Sequence, residues 1–80
     1  MELHIIYTET EMYLSKKSYA YWQDIQREYP GYKTSLGPWS DSDVVGFLTD
    51  EYSKLAPSAE QQVSSFLSSD QSVCVVSFGA

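Results

Sequence analysis

Cysteine is nearly absent from this chain, and the absence excludes a good deal. Cys74 stands alone in 80 residues, so no disulfide forms within the chain, and no basic segment leading into an apolar one marks it for secretion. A soluble protein in a reducing, cytoplasmic setting is the expectation. Histidine is as scarce, His4 being the sole one, so zinc sites built from thiolates and imidazoles lack ligands. The four glycines, Gly31, Gly37, Gly46 and Gly79, lie too far apart for a phosphate-cradling loop. The longest apolar runs, Ile5 to Tyr7 and Val73 to Val76, fall far short of the roughly 20 residues that cross a bilayer. No membrane partner is expected.

Positive charge is the other shortage. Five basic residues face eleven acidic ones, for a net charge of −6 and a pI near 4.4. The imbalance is uneven: residues 1–33 hold five acids and four bases, while residues 34–80 hold six acids and only Lys54. Such a chain repels nucleic acid and anionic membrane and attracts basic surfaces. What it has in abundance is tyrosine, seven in all, with Trp22 and Trp39 besides. A domain this small buries only about 60% of the surface its unfolded chain exposes, so some of these rings must meet solvent. With 42% hydrophobic residues the composition is too rich for disorder, and a single folded domain over 1–80 is expected.

The pattern reads as α+β, with a strand at each end and two or three helices between. Leu3 to Thr8 is short, β-branched and aromatic, a strand. Thr8 and Glu11 have capping-box spacing, and Leu14, Ser18, Trp22, Ile25 and Tyr29 recur at helical intervals, which favours a helix from Thr8 to about Glu28, ended by Pro30-Gly31. The competing reading is a hairpin of Leu3 to Thr8 with Met12 to Ser15. Tyr32 to Pro38 reads as a loop punctuated by Gly37-Pro38. Ser40 then caps a second helix, with Asp41 and Asp43 in its first turn, Trp39 set to staple onto Val44, and Val44, Phe47, Leu48, Tyr52 and Leu55 on its inner face. After Ala56-Pro57, Ser58 and Gln61 repeat the capping spacing and open a third helix that buries Ala59, Val63, Phe66 and Leu67. Ser72 to Phe78 is apolar on both faces and reads as a strand covered on both sides. If the terminal strands pair in parallel, their connection is right-handed. Two strands alone are marginal, so a third must come from the hairpin or from another chain, and an open edge would serve docking or a homodimer.

Candidate chemistry is thin. His4 and Cys74 sit on opposite terminal strands, which adjacent pairing would turn into a thiol-imidazole dyad, yet no glycine or turn presents Cys74 as nucleophiles are presented. Asp41-Ser42-Asp43-Val44-Val45-Gly46 opens like a calcium loop, but Val45 offers no side-chain oxygen at the fifth position and Tyr52 occupies the twelfth. No catalytic residue, metal ligand or cofactor site is assigned, and no enzymatic activity is expected.

The reading that remains is a partner-binding protein. Asp41, Asp43, Asp50, Glu51 and Glu60 supply acidic steering, and Tyr19, Tyr21, Tyr29 and Tyr32 supply aromatic anchors. The expected partner is a protein with a basic, nucleic-acid-binding surface, with the carboxylates standing where phosphates would lie and no direct contact to nucleic acid. In size, charge and lack of catalytic residues the chain resembles, as a class, the small inhibitors that phages and mobile elements direct at CRISPR or restriction machinery. It equally resembles antitoxin and immunity proteins. A dimeric adaptor is the structural alternative, and a minimal Cys/His enzyme the remotest.

Overall fold

The first strand, β1 (Glu2–Thr8), turns straight back into β2 (Met12–Ser15) with Ile5 opposite Leu14 and Ile6 opposite Tyr13. This is the hairpin, and it corrects the expectation of a helix beginning at Thr8. The spacing itself was informative: the Thr8 Oγ1 accepts the Glu11 N–H at 3.0 Å, while the Thr8 N–H donates to the Glu11 carbonyl at 2.9 Å. The same side-chain bond that opens a helix here closes a turn, because hydroxyl residues satisfy amides in either setting. In the computed structural model, which describes residues 2–79, the first helix is therefore only α1 (Trp22–Glu28). Ile25 and Tyr29 are buried as their spacing predicts, whereas Trp22, expected on the same apolar face, is 57% exposed.

The second correction concerns Tyr32 to Pro38. These residues belong to β3 (Tyr32–Ser40), which runs antiparallel to β1. Gly-Pro reads as loop punctuation, but on the outer strand of a sheet neither residue is forbidden. Gly37 takes φ +118, beside a register shift between Leu3 and Ile5, and a Cβ there would sit 2.6 Å from the Leu3 carbonyl oxygen. Only glycine suits that bulge.

Two helices and a strand follow: α2 (Asp41–Glu51), α3 (Ala59–Ser68) and β4 (Val73–Val75). The caps fall where the spacing put them, the Ser40 Oγ accepting the Asp43 N–H at 3.2 Å and the Ser58 Oγ accepting the Gln61 N–H at 3.3 Å. Trp39 packs edge-on against Phe47, with 5.3 Å between centroids. The last strand is shorter than Ser72 to Phe78 and lies at the edge, with Val75 46% exposed rather than covered.

The result is an α+β fold on one four-stranded antiparallel sheet, order β3-β1-β2-β4. β2 lies between the terminal strands, so β1 and β4 do not pair and no parallel crossover arises. Alternation along the strands divides the side chains. Leu3, Ile5, Met12 and Leu14 join Val44, Leu48, Ala59, Val63, Phe66 and Val76 in a core beneath α2 and α3, and Ile6 meets Ile25 and Tyr29 beneath α1.

Candidate functional site

The five carboxylates assigned to a partner do not share one reason for being where they are. Asp41 and Asp43 occupy the first turn of α2, and Glu60 the first turn of α3, where the helix macrodipole favours negative charge. Asp41 is also half-buried and engaged within the fold. Local stability accounts for these three.

Asp50 and Glu51 differ. They stand in the last turn of α2, which holds no basic residue, so the exposed carbonyl end of the helix opposes them at a cost of about 0.3–1 kcal/mol each. Both are exposed, and neither forms an ion pair among the described residues. Three of the four basic side chains in residues 1–33 are already committed. Lys17 pairs with Glu28 and Arg27 with Asp24, while the Lys16 ammonium donates to the Ser69 carbonyl and lies 4.5 Å from the centre of the Phe66 ring. The acidic surplus of the sequence is therefore a surplus at the surface.

The tyrosines divide in the same manner. Tyr29 is buried at 8% exposure, stacked obliquely on Tyr13 with centroids 5.0 Å apart, and presents little to a partner. Tyr19 is half-buried, its hydroxyl 2.9 Å from the Ser15 Oγ and donating to Glu28 Oε2 at 3.0 Å. Tyr32 is half-buried with its hydroxyl 3.0 Å from the Ser35 Oγ. Tyr21 alone projects strongly, at 71% exposure, beside Trp22. Together these two rim a cleft of about 260 Å³ floored by His4, Ile25 and Ser35. Sequence spacing had placed Trp22 in the core, because a residue at the first position of a short helix keeps the period without being covered.

His4 and Cys74 are on opposite faces of the sheet. His4 pairs in register with Ser15 and meets the Tyr19 ring edge-on at 5.1 Å, whereas Cys74 pairs with Leu14 and packs against the α2/α3 core. No dyad forms. Burial holds the Cys74 thiol above its ordinary range, the reverse of an activated nucleophile. Asp41-Ser42-Asp43 is the first turn of a helix rather than a loop, which removes the calcium-loop geometry. Among the described residues no three His, Cys, Asp or Glu side chains gather as metal ligands, and no helix is long and apolar enough to cross a membrane.

The chain matches no protein-family model, no curated protein and no solved structure.

Proposed function

We propose that this protein is a non-enzymatic binding protein that occupies a basic, nucleic-acid-binding surface of another protein, as anti-defence inhibitors do. The observation that carries the reading is the placement of Asp50 and Glu51: exposed, without an ion pair among the described residues and set against the helix dipole, they lower the stability of α2 where they stand. Charges kept at a local cost are explained by something outside the chain. Asp43 and Glu60 widen the same acidic field, and long-range attraction between opposite fields raises association rates by orders of magnitude.

The reading separates function from stability in one variant. Asp50→Lys with Glu51→Lys replaces two opposing charges by two favourable ones at a helix C-terminus, so the stability to thermal unfolding should rise, by about 0.6–2 kcal/mol per position. The same variant, used as bait in a lysate of the host, should lose a basic protein that the wild type retains at low salt, that free DNA displaces, and that about 0.5 M salt releases. Retention of the same proteins by the variant at high salt sinks the reading.

A second reading rests on a separate observation. β4 is an edge strand, only three residues long, with Val75 half-exposed and its outer backbone unpaired among the described residues. Such an edge can add a strand from a second copy. Sedimentation at rising concentration decides it: a monomer throughout removes the dimer.

A further inference from the structure

A second cleft opens at the far end of the hairpin, where the turn after β1 faces the end of α2 and the segment after β4. It holds about 320 Å³ and is walled by Tyr7, Tyr52 and Phe78, floored by Met12, and lipped by Glu9 and Glu11. The walls are pre-set. The Tyr7 and Tyr52 hydroxyls lie 3.1 Å apart, and Tyr52 meets Phe78 edge-on at 5.7 Å with 75° between the rings. Phe78 is nonetheless 48% exposed, a large apolar ring turned to solvent on one side. Glu9 and Glu11 are exposed and form no ion pair among the described residues. Glu51 is near enough for its charge to act on Tyr7, whose hydroxyl is held above its ordinary range, chiefly by burial and then by Tyr52.

Aromatic faces carry negative potential, and a cation over such a face is attracted to it, the more so as water is excluded. Carboxylates at the lip add charge of the same sign. The only charged side chains lining the cleft among the described residues, Glu9 and Glu11, repel an anion, and an apolar side chain would bury the carboxylates without pairing them. We propose that the cleft receives an arginine side chain of the basic partner, its guanidinium against the Phe78 ring and its N–H groups on Glu9 and Glu11. Arginine suits the cleft better than lysine because its planar fork stacks on rings, matches carboxylate geometry and sheds water more readily than an ammonium does. The partner is thereby steered by Asp50 and Glu51 and anchored beside them, at the same end of α2. This inference rests on the basic-partner reading.

The test uses the intact protein, labelled with nitrogen-15, and two probes at low salt: a hexa-arginine peptide and a hexa-lysine peptide. Amide shifts should centre on Thr8 to Met12, Tyr52 and Ser77 to Gly79, and hexa-arginine should bind several-fold more tightly than hexa-lysine. Glu9→Gln with Glu11→Gln, and separately Phe78→Ala, should each weaken hexa-arginine binding about tenfold, the first by removing both carboxylate contacts and the second by removing the ring contact. The glutamine pair keeps the side-chain shape, so its amide spectrum reports whether the turn is intact. Shifts confined to Asp43, Asp50 and Glu60, with both cleft variants binding as the wild type, overturn the arginine cleft and leave the basic-partner reading standing. Equal binding of the two peptides, unaffected by Phe78→Ala, overturns the choice of arginine. A partner lost on Asp50 and Glu51 reversal but retained by the cleft variants likewise rejects the cleft alone.

Discussion

Among the described residues, ten are buried in one cluster beneath α2 and α3, every one of them apolar; beneath α1 the sheet buries Ile6, Ile25 and Tyr29 as the apolar cluster, with His4 and Ser15 buried alongside them. The first face is held by area removed from water, at about 25 cal/mol per Å². The second depends more on hydroxyl and aromatic contacts, with Ser15, Tyr19 and Glu28 bonded in sequence and Lys17 paired to Glu28. A helix of seven residues cannot roof a four-stranded sheet, so Tyr21, Trp22 and Val75 remain exposed on or beside that side. One face supplies the stability, and the other is left partly uncovered.

The largest effect that would break this comparison lies in the cores. Leu48→Ala should cost about 2–5 kcal/mol in urea unfolding, since Leu48 is fully buried among both helices and the sheet. A chain of this length has about 4–12 kcal/mol in all, so the variant should lose much of its stability. Ile25→Ala should cost at most the lower end of that range and act locally, with the amides of α1 exchanging faster while those of β1 and β2 keep their protection. Equal costs at the two positions, or loss of protection throughout in the Ile25 variant, would show that α1 belongs to the main cooperative unit.

A smaller effect sharpens the comparison at the strand that serves both faces. Gly37→Ala forces a side chain into positive φ and against the Leu3 carbonyl, and about 1–3 kcal/mol is the expected cost of such strain. Because β3 pairs with β1 along most of its length, protection should fall on both faces together. Thermal unfolding with exchange on the same sample checks this; a loss restricted to α1 would tie the bulge to that helix only.

The legible parts of the sequence were those where one physical cause has one structural outcome. Ser40 and Ser58 cap helices because an exposed amide needs an acceptor, and Val44, Leu48, Val63 and Phe66 are buried because helical periodicity leaves no alternative. Where one signal serves two structures, local reading went astray. Thr8 with Glu11 satisfies an amide in a turn as well as at a helix start, and Gly37-Pro38 interrupts a loop no better than it decorates an edge strand. Tertiary pairing decided both. The candidate site was legible in charge and invisible in place: Asp50 and Glu51 stood out by sign, but that they oppose the helix dipole depends on α2 ending at Glu51. Phe78 looked like strand core, and Glu9 and Glu11 like helix, until the hairpin turn set them around one cleft.

The subtlest difference between the faces is in their response to pH. His4 is buried on the α1 face with its Nδ1 lacking a hydrogen-bond partner among the described residues. Burial lowers its pKa below the ordinary 6.5, with the Glu2 carboxylate pulling weakly the other way. The folded state thus resists the proton that the unfolded chain accepts. Stability from this group is fully present above the unfolded value, declines as pH falls through 6.5, and levels off once the folded imidazole is itself protonated. Unfolding followed at intervals from about pH 7.5 to 5.5 should show that decline in the wild type and a flatter profile in His4→Phe, where no titrating ring remains. The effect should be smaller than that of any substitution above, because the group is single and Glu2 offsets part of it. Phenylalanine also removes the unsatisfied nitrogen, so the variant should be no less stable than the wild type at the acid end. An identical slope in both proteins would place the acid sensitivity elsewhere.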